Sequence, residues 1–153
     1  MRLARFKLRT IFFVVAMVAV LFGYVVNFGH KRASGLLAMS SGSPGGTAVV
    51  EAIEFGKSGK FVSDILLEPE VKALSLFRTI KDPQSWLKRR LELKPIRPKS
   101  EILVVDLVRY QYLDPKQSME DYSVIVEAAM RVLRQNAKPD VTIDVLQMPT
   151  PPI

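Results

Sequence analysis

A run of twenty residues without a formal charge, residues 10–29, constrains this chain more than any other feature of its sequence. The run reads TIFFVVAMVAVLFGYVVNFG, and its only polar side chains are one threonine, one tyrosine and one asparagine. A helix of this length covers about 30 Å, which is the thickness of the hydrocarbon core of a bilayer. We therefore predict a transmembrane helix over residues 10–29.

Two patterns within this predicted anchor have a physical meaning. Tyr24 and Phe28 lie near its far end, where aromatic rings favour the level of the lipid headgroups. Ala19 and Gly23 form a small-xxx-small pair that allows two helices to approach closely, although ordinary lipid-facing composition also explains a single pair. The residues assigned to the anchor are Thr10, Ile11, Phe12, Phe13, Ala19, Gly23, Tyr24, Phe28 and Gly29.

Positive charge flanks the apolar run on both sides. Residues 1–9 carry four Lys or Arg as well as the amino terminus, whereas only Lys31 and Arg32 follow the run closely. The positive-inside rule then predicts a single-pass protein of the inner (cytoplasmic) membrane, with a cytoplasmic N-terminus and the domain in the periplasm or another extracytoplasmic space. A cleaved signal peptide is the alternative, but the run exceeds the usual h-region and the charged HKR follows it directly.

The net charge of +7 is concentrated at the anchor. Residues 1–32 hold six of the 22 Lys and Arg and none of the 15 acids, so the remainder is close to neutral. Proteins that bind nucleic acid need clustered, uncompensated cations on the folded domain, so we expect membrane lipid and no nucleic acid as a partner. The chain has no cysteine, which excludes disulfides and thiolate chemistry and is compatible with an oxidising compartment.

Composition divides the chain into five segments. The first is basic and cytoplasmic, and the second is the membrane anchor. An interfacial segment follows, with a short strand and a Ser/Gly/Pro linker, and it leads into an α+β domain and a proline-rich tail. The predicted boundaries are 1–9, 10–29, 30–46, 47–148 and 149–153.

Helix signals recur through the domain. Thr47 can cap a helix with Val49, Val50 and Ile53 on one face, and Pro69 marks a break in the next helical stretch.

Two later helices have a proline-marked start, because proline lacks an N–H that the first helical position does not need. These starts are Asp82-Pro83 and Asp114-Pro115. The last helix carries an apolar stripe at three- and four-residue spacing. Its members are Tyr122, Ile125, Val126, Ala129, Val132 and Leu133.

Four segments have the pattern of strands. Leu36–Met39 is a short apolar run, residues 91–96 are marked by a proline as an edge strand would be, and residues 101–108 suit a central strand. Residues 141–148 alternate as a final strand. The predicted fold class is α+β, with a small mixed β-sheet packed with helices and preceded by one N-terminal transmembrane helix.

The sequence offers little that could perform catalysis. His30, the one histidine, lies at the predicted membrane edge, and no Ser/His/Asp set can be assembled. Glu68 and Glu70, and residues 120–121, are typical of solvated carboxylates at helix starts. Asp106 is the most unusual acid because it interrupts an apolar strand. We predict no enzymatic activity, no catalytic residue, no cofactor and no metal.

The densest cluster of charge lies in KRRLELKPIRPK, residues 88–99. It could contact lipid headgroups, an acidic glycan or a neighbouring subunit. A solvated helix end is the alternative, because cations at a helix C-terminus complement the helix dipole. The candidate interaction residues are Lys88, Arg89, Arg90, Lys94, Arg97 and Lys99.

Three consecutive stretches carry a resemblance to a known family. They are FVSDILLEPEVKALSLF, DPQSWLKRRLELKPIRPKSEILVVDL and DPKQSMEDYSVIVEAAM. In order and spacing they resemble the polysaccharide chain-length determinants, also called polysaccharide co-polymerases, over roughly residues 33–134. The closing VTIDVLQMPTPPI is similar to the family's approach to a second transmembrane span. The expectation is a base domain only, without that span and without the family's long helices.

The resemblance implies a bacterial, non-enzymatic scaffold or regulatory protein of the cell envelope. Such a protein would act in the assembly or export of extracellular or surface polysaccharide, through self-association or through polysaccharide-assembly membrane proteins. The start FKLRTIFFVV also resembles an anchor found on many bacterial envelope proteins. The alternative function is a bitopic structural component of another envelope machine, such as a secretion or division complex.

Overall fold

The computed structural model of the chain describes residues 13–20, 31–41, 47–109 and 119–150. The chain divides into two compact units, Met1–His30 and Lys31–Ile153.

In the first unit, residues 13–20 form a helix, α1, whose large apolar side chains are exposed. Within the described ranges, no helix is long and apolar enough to cross a membrane. Of the assigned anchor residues, Phe13 and Ala19 lie in α1. The other assigned anchor residues lie outside the described residues: Thr10, Ile11, Phe12, Gly23, Tyr24, Phe28 and Gly29.

The described part of the second unit begins and ends with a strand, and helices and two further strands lie between them. Its elements are β1 (Lys31–Ser41), α2 (Thr47–Gly56), α3 (Gly59–Leu67), α4 (Pro69–Ala73), α5 (Leu76–Thr79), α6 (Pro83–Arg90), β2 (Leu91–Pro95), β3 (Ile102–Arg109), α7 (Met119–Gln135) and β4 (Val141–Thr150).

The described strands form one sheet in the order β2-β3-β1-β4, and each neighbouring pair is antiparallel. The α+β class is confirmed, but the predicted mixed sheet is wrong. The helices α2–α6 connect β1 to β2, which run in the same direction with β3 between them in the sheet. Helix α7 likewise connects β3 to β4, with β1 between them. This is the split β-α-β arrangement of ferredoxin-like folds.

The four predicted strands are all present. β2 lies at an edge, as its proline indicated, and β3 is central. β1 is longer than predicted, because Leu36–Met39 is only the middle of an eleven-residue strand that pairs with both β3 and β4. β4 extends to Thr150 and so includes the first residues of the predicted proline-rich tail.

One face of the sheet carries the hydrophobic core. Ala33 faces Leu107 and Leu37 faces Leu103 across the β1–β3 pair, and all four side chains are fully buried with residues of the helices. Because side chains alternate along a strand, Asp106 lies on the opposite face.

Local signals explain where α6 begins. The Asp82 carboxylate accepts a hydrogen bond from the Ser85 backbone N–H at 3.1 Å, and Pro83 occupies the first turn. Hydrogen bonding with Ser85 lowers the pKa of Asp82 below its ordinary value, since it favours the charged form. This helix start is confirmed.

The predicted stripe on α7 is also confirmed, because its six residues are all buried against the sheet and α3. The other predicted start, Asp114-Pro115, lies outside the described residues. On α2 the predicted face is partly wrong. Val50 is exposed, and Ala48 and Ala52 are buried beside Val49.

Candidate functional site

The six candidate interaction residues do not share one environment. Lys88 and Arg89 are exposed on α6, and Arg97 and Lys99 are exposed in the turn between β2 and β3. Lys99 has a positive φ of 62°, in the left-handed region that turns use.

The other two basic residues are engaged within the fold. Arg90 is buried, with its guanidinium carbon 4.5 Å from the centroid of the Trp86 ring, so it does not belong to a solvated helix end. Lys94 Nζ lies 2.7 Å from Asp106 Oδ2. The role of the six residues in binding stays a prediction.

Asp106 is the centre of an ion cluster on the face of the sheet opposite the core. In the register of the sheet it lies between Ser34 on β1 and Glu92 on β2. Lys94 on β2 and Arg32 on β1 reach it diagonally, with the Arg32 guanidinium 3.3 Å from Asp106 Oδ2. Arg32 Nη1 also lies 3.4 Å from Glu92. The cluster therefore joins three strands and has no net charge.

Asp106 remains ionised although it is only 3% exposed. Burial alone would raise the pKa of its carboxyl, but hydrogen bonds from Lys94 and Ser34 and the charges of Lys94 and Arg32 outweigh burial. The pKa of Asp106 therefore lies below its ordinary value. Its Oδ1 atom has no hydrogen-bond partner within the described part of the chain. A charge held in this way is an ion pair of the sheet rather than a poised general base.

Sequence reasoning identified Asp106 but missed its partners. Arg32 was assigned to the charged flank of the membrane anchor, whereas in the structure it belongs to β1 and binds Asp106 and Glu92. The strand order that brings these groups together is not visible in the sequence, because Arg32 and Asp106 are 74 positions apart.

The paired carboxylates considered for catalysis also have a partner. Glu68 and Glu70 bind Arg131 of α7 at 2.9 and 3.0 Å, and Glu127 lies 3.7 Å from the same guanidinium. This arrangement fastens the α3–α4 junction to α7. The neighbouring carboxylates raise the pKa of Arg131, chiefly because its guanidinium donates a hydrogen bond to Glu70. Arginine is always protonated in proteins, so the cluster holds a fixed charge.

A groove of about 390 Å³ lies between α2, the end of α7 and the start of β4. Its lining is mainly apolar and includes Met39, Phe55 and Leu133. At its rim, Lys138 Nζ lies 2.8 Å from Glu51, whose hydrogen bond and charge raise the pKa of Lys138. The groove has the volume of a small-ligand site. Its other polar lining residues already have partners within the fold, because Glu54 accepts a hydrogen bond from Lys57 and the Asn136 amide donates to the Val132 carbonyl.

Among the described residues, no group of three or more His, Cys, Asp or Glu side chains is arranged so that it could hold a metal ion. His30 lies outside those residues.

The outer strand β4 carries three of the exposed large apolar side chains in the described part of the second unit. Leu146 and Met148 are 54% and 51% exposed, and Val145 is 37% exposed. These neighbours include side chains on both faces of the strand. Beside them, a small groove of about 70 Å³ separates β4 from α7 and is lined by Glu127, Met130, Arg131, Arg134, Val145 and Met148.

A scan against models of protein families finds no match to this chain, and a search of curated proteins finds no similar sequence.

Proposed function

We propose that this chain is a single-span, membrane-anchored, non-enzymatic scaffold or regulatory protein in the assembly or export of surface polysaccharide. On this proposal the basic segment stays in the cytoplasm and the α+β unit lies outside the inner membrane. It would act by contacting copies of itself or polysaccharide-assembly membrane proteins.

The observation that carries the proposal concerns the most specific stretch of the family resemblance, residues 82–107. In the fold this stretch is a continuous unit of capped helix, edge strand, turn and central strand. Asp82 caps the helix, Trp86 packs against Phe77 and Tyr122 with ring centroids 5.7 and 5.9 Å apart, and Leu107 is fully buried. The residues that carry the resemblance therefore act together in building the domain, which supports a relationship in fold.

The non-enzymatic part of the proposal is supported by the partners of the acidic residues. Asp106 is held by two cations, and Glu68 and Glu70 share Arg131. A general base needs a pKa near the working pH and access to substrate. Turnover lost on substitution of Asp106, Glu68 or Glu70, with folding retained, would contradict this part of the proposal.

The membrane topology is tested with single cysteines, since the chain has none of its own. Lys72→Cys, at an exposed position of α4, should react with a membrane-impermeant maleimide in intact spheroplasts. Lys7→Cys is the matched control and should react only after the membrane is opened. The reverse pattern of labelling would refute the proposed orientation.

The function is tested by crosslinking in living cells with identification of partners, together with the length distribution of surface glycan in a deletion strain. We expect crosslinks to polysaccharide-assembly membrane proteins and an altered glycan length. Crosslinks to secretion or division components, with an unchanged glycan, would instead support the alternative of a bitopic component of another envelope machine.

A further inference from the structure

The free edge of β4 offers unpaired backbone groups to another strand. β4 is the last strand of the sheet, and within the described residues only β1 pairs with it. Exposed edge strands are usually protected by lysines, by an internal proline or by a covering segment. β4 has no lysine, and Asp144 is its only charge. Its one proline, Pro149, is next to its last residue, and its register against β1 shifts between Val145 and Gln147.

The side chains along this edge favour contact with a protein surface. Val145, Leu146 and Met148 are all exposed. The groove beside Val145 and Met148 has a volume of about 70 Å³, far smaller than the several hundred Å³ of a small-molecule site. A wider groove of about 390 Å³ lies beside the start of β4, at Val141 and Ile143, and does not include the exposed apolar residues. The edge therefore fits a partner that packs against it better than a ligand that enters it.

The neighbouring helix has charges arranged to match a second copy of itself. Glu127 and Arg134 line the same groove as Val145 and Met148. They are seven residues apart on α7, which is two turns or about 10.5 Å along the helix axis. Arg134 is exposed and makes no ion pair with any described residue. Glu127 makes one long ion pair, 3.7 Å from the Arg131 guanidinium. An acid thus precedes a base on this side of α7.

The middle of the charged pair on α7 lies beside the exposed apolar residues of β4. Met130 lies about halfway between Glu127 and Arg134, and it lines the groove together with Val145 and Met148. A two-fold axis at this level would pair β4 antiparallel with its copy, centred on residues 145–148. The same axis would place Glu127 of one chain opposite Arg134 of the other. In that register Asp144 does not face its own copy.

We propose that two copies of this chain form a symmetric dimer in which the β4 edges pair and the α7 ridges exchange Glu127–Arg134 ion pairs. Strands in a sheet lie about 4.8 Å apart, so two α7 helices that each lie above β1 would be about 14 Å apart. That separation leaves room for the glutamate and arginine side chains to meet. The proposal names the surface for the self-association in the proposed function, and it rests on that function in requiring both domains on the same side of the membrane.

The first test is self-crosslinking of the full chain in detergent micelles. Leu146→Cys lies at the proposed two-fold axis and should form a disulfide dimer under mild oxidation. Val50→Cys is the matched control, because Val50 is equally exposed but lies on α2. A dimer that forms equally with both variants, or with neither, would overturn the proposed surface.

The second test reverses charge across the interface in the same full-length protein. Arg134→Glu and Glu127→Arg should each weaken dimerisation by about tenfold, because like charges then face each other. The double variant should return the dissociation constant to within about threefold of the original, since the pairs are restored in reversed order. A monomer at all concentrations, or a double variant as weak as the singles, would refute the proposal. Thermal unfolding of each variant controls for loss of fold.

An extended peptide is the competing occupant of the edge. A synthetic peptide of residues 141–148 that binds a strictly monomeric chain would show a strand-accepting edge without a dimer, and would overturn the inference. The proposed function is tested separately from the dimer. Leu146→Cys dimers in membranes, combined with unchanged glycan in a deletion strain, would keep the dimer and reject the polysaccharide role.

Discussion

Replacing Asp106 with asparagine tests the ion cluster on the face of the sheet opposite the core. The substitution keeps the shape of the side chain and removes its charge. Lys94 Nζ, 2.7 Å from Asp106 Oδ2, and the Arg32 guanidinium, at 3.3 Å, would then lose their nearest counter-ion and keep only Glu92, at 3.9 and 3.4 Å. Lys94→Met removes the closer cation, and the two changes together complete a double-mutant cycle.

The expected coupling follows from distance and exposure. Two unit charges about 4 Å apart attract by about 4 kcal/mol at an effective dielectric constant of 20. The side chains of Lys94 and Arg32 are 45% and 39% exposed, so water competes for both cations. We therefore expect a coupling free energy of about 1–2 kcal/mol between Asp106 and Lys94, and a loss of about 2–3 kcal/mol of unfolding free energy in Asp106→Asn.

The dependence on pH has a definite sign. The pKa of Asp106 in the folded chain is lowered from 3.8, so the unfolded chain binds the proton more tightly. The contribution of Asp106 to stability is complete above pH 3.8 and is lost as the pH falls through the lowered folded pKa. The original chain should therefore lose more stability than Asp106→Asn on acidification below this value.

Denaturation of the full chain in detergent micelles, followed by fluorescence, measures these quantities. The chain has one tryptophan, Trp86, which is buried beside Tyr122 and reports on the packed helices. A coupling below about 0.3 kcal/mol at pH 7 would show that the cluster contributes no more than an exposed surface pair. An equal response to acid in the original chain and in Asp106→Asn would refute the assigned pKa direction.

Three further substitutions test the fold. Asp82→Ala should lower the denaturation midpoint through loss of the α6 cap, whereas Asp82→Asn, which keeps an acceptor, should retain most of it. Leu37→Ala should lower the free energy of unfolding by about 2–5 kcal/mol, because the Leu37 side chain is fully buried. The adjacent control Leu36→Ala, on the opposite face, should lower it by about 1 kcal/mol or less, and equal losses would contradict the assigned faces. Gly35→Ala should lower the free energy of unfolding by about 1–3 kcal/mol, because the new Cβ would collide with Met130 Sδ. Adding Met130→Ala should relieve that collision, and simply additive losses in the double variant would contradict this packing.

Signals within a few residues were read correctly from the sequence. The Asp82-Pro83 start needs only a side-chain oxygen and a missing N–H in the first turn. The α7 stripe needs only helical periodicity, and the proline of β2 indicated an edge strand because proline cannot donate to a neighbour. Val50 shows where such reasoning fails, because α2 could turn either of two partly apolar sides towards the core, and the side with Ala48, Val49 and Ala52 proved to be the buried one.

The sequence by itself determined the element types, the start of α6, the α+β class and an apolar run with basic flanks. Only the tertiary structure decided that the described strands pair antiparallel throughout, that Arg32 binds Asp106, and that Arg90 lies over Trp86 instead of in solvent. The physical reason is the separation along the sequence between the residues that interact. Caps and periodicity depend on residues a turn apart, whereas strand order and charge pairing depend on contacts such as that between Arg32 and Asp106, 74 positions apart, which form only when the whole sheet assembles.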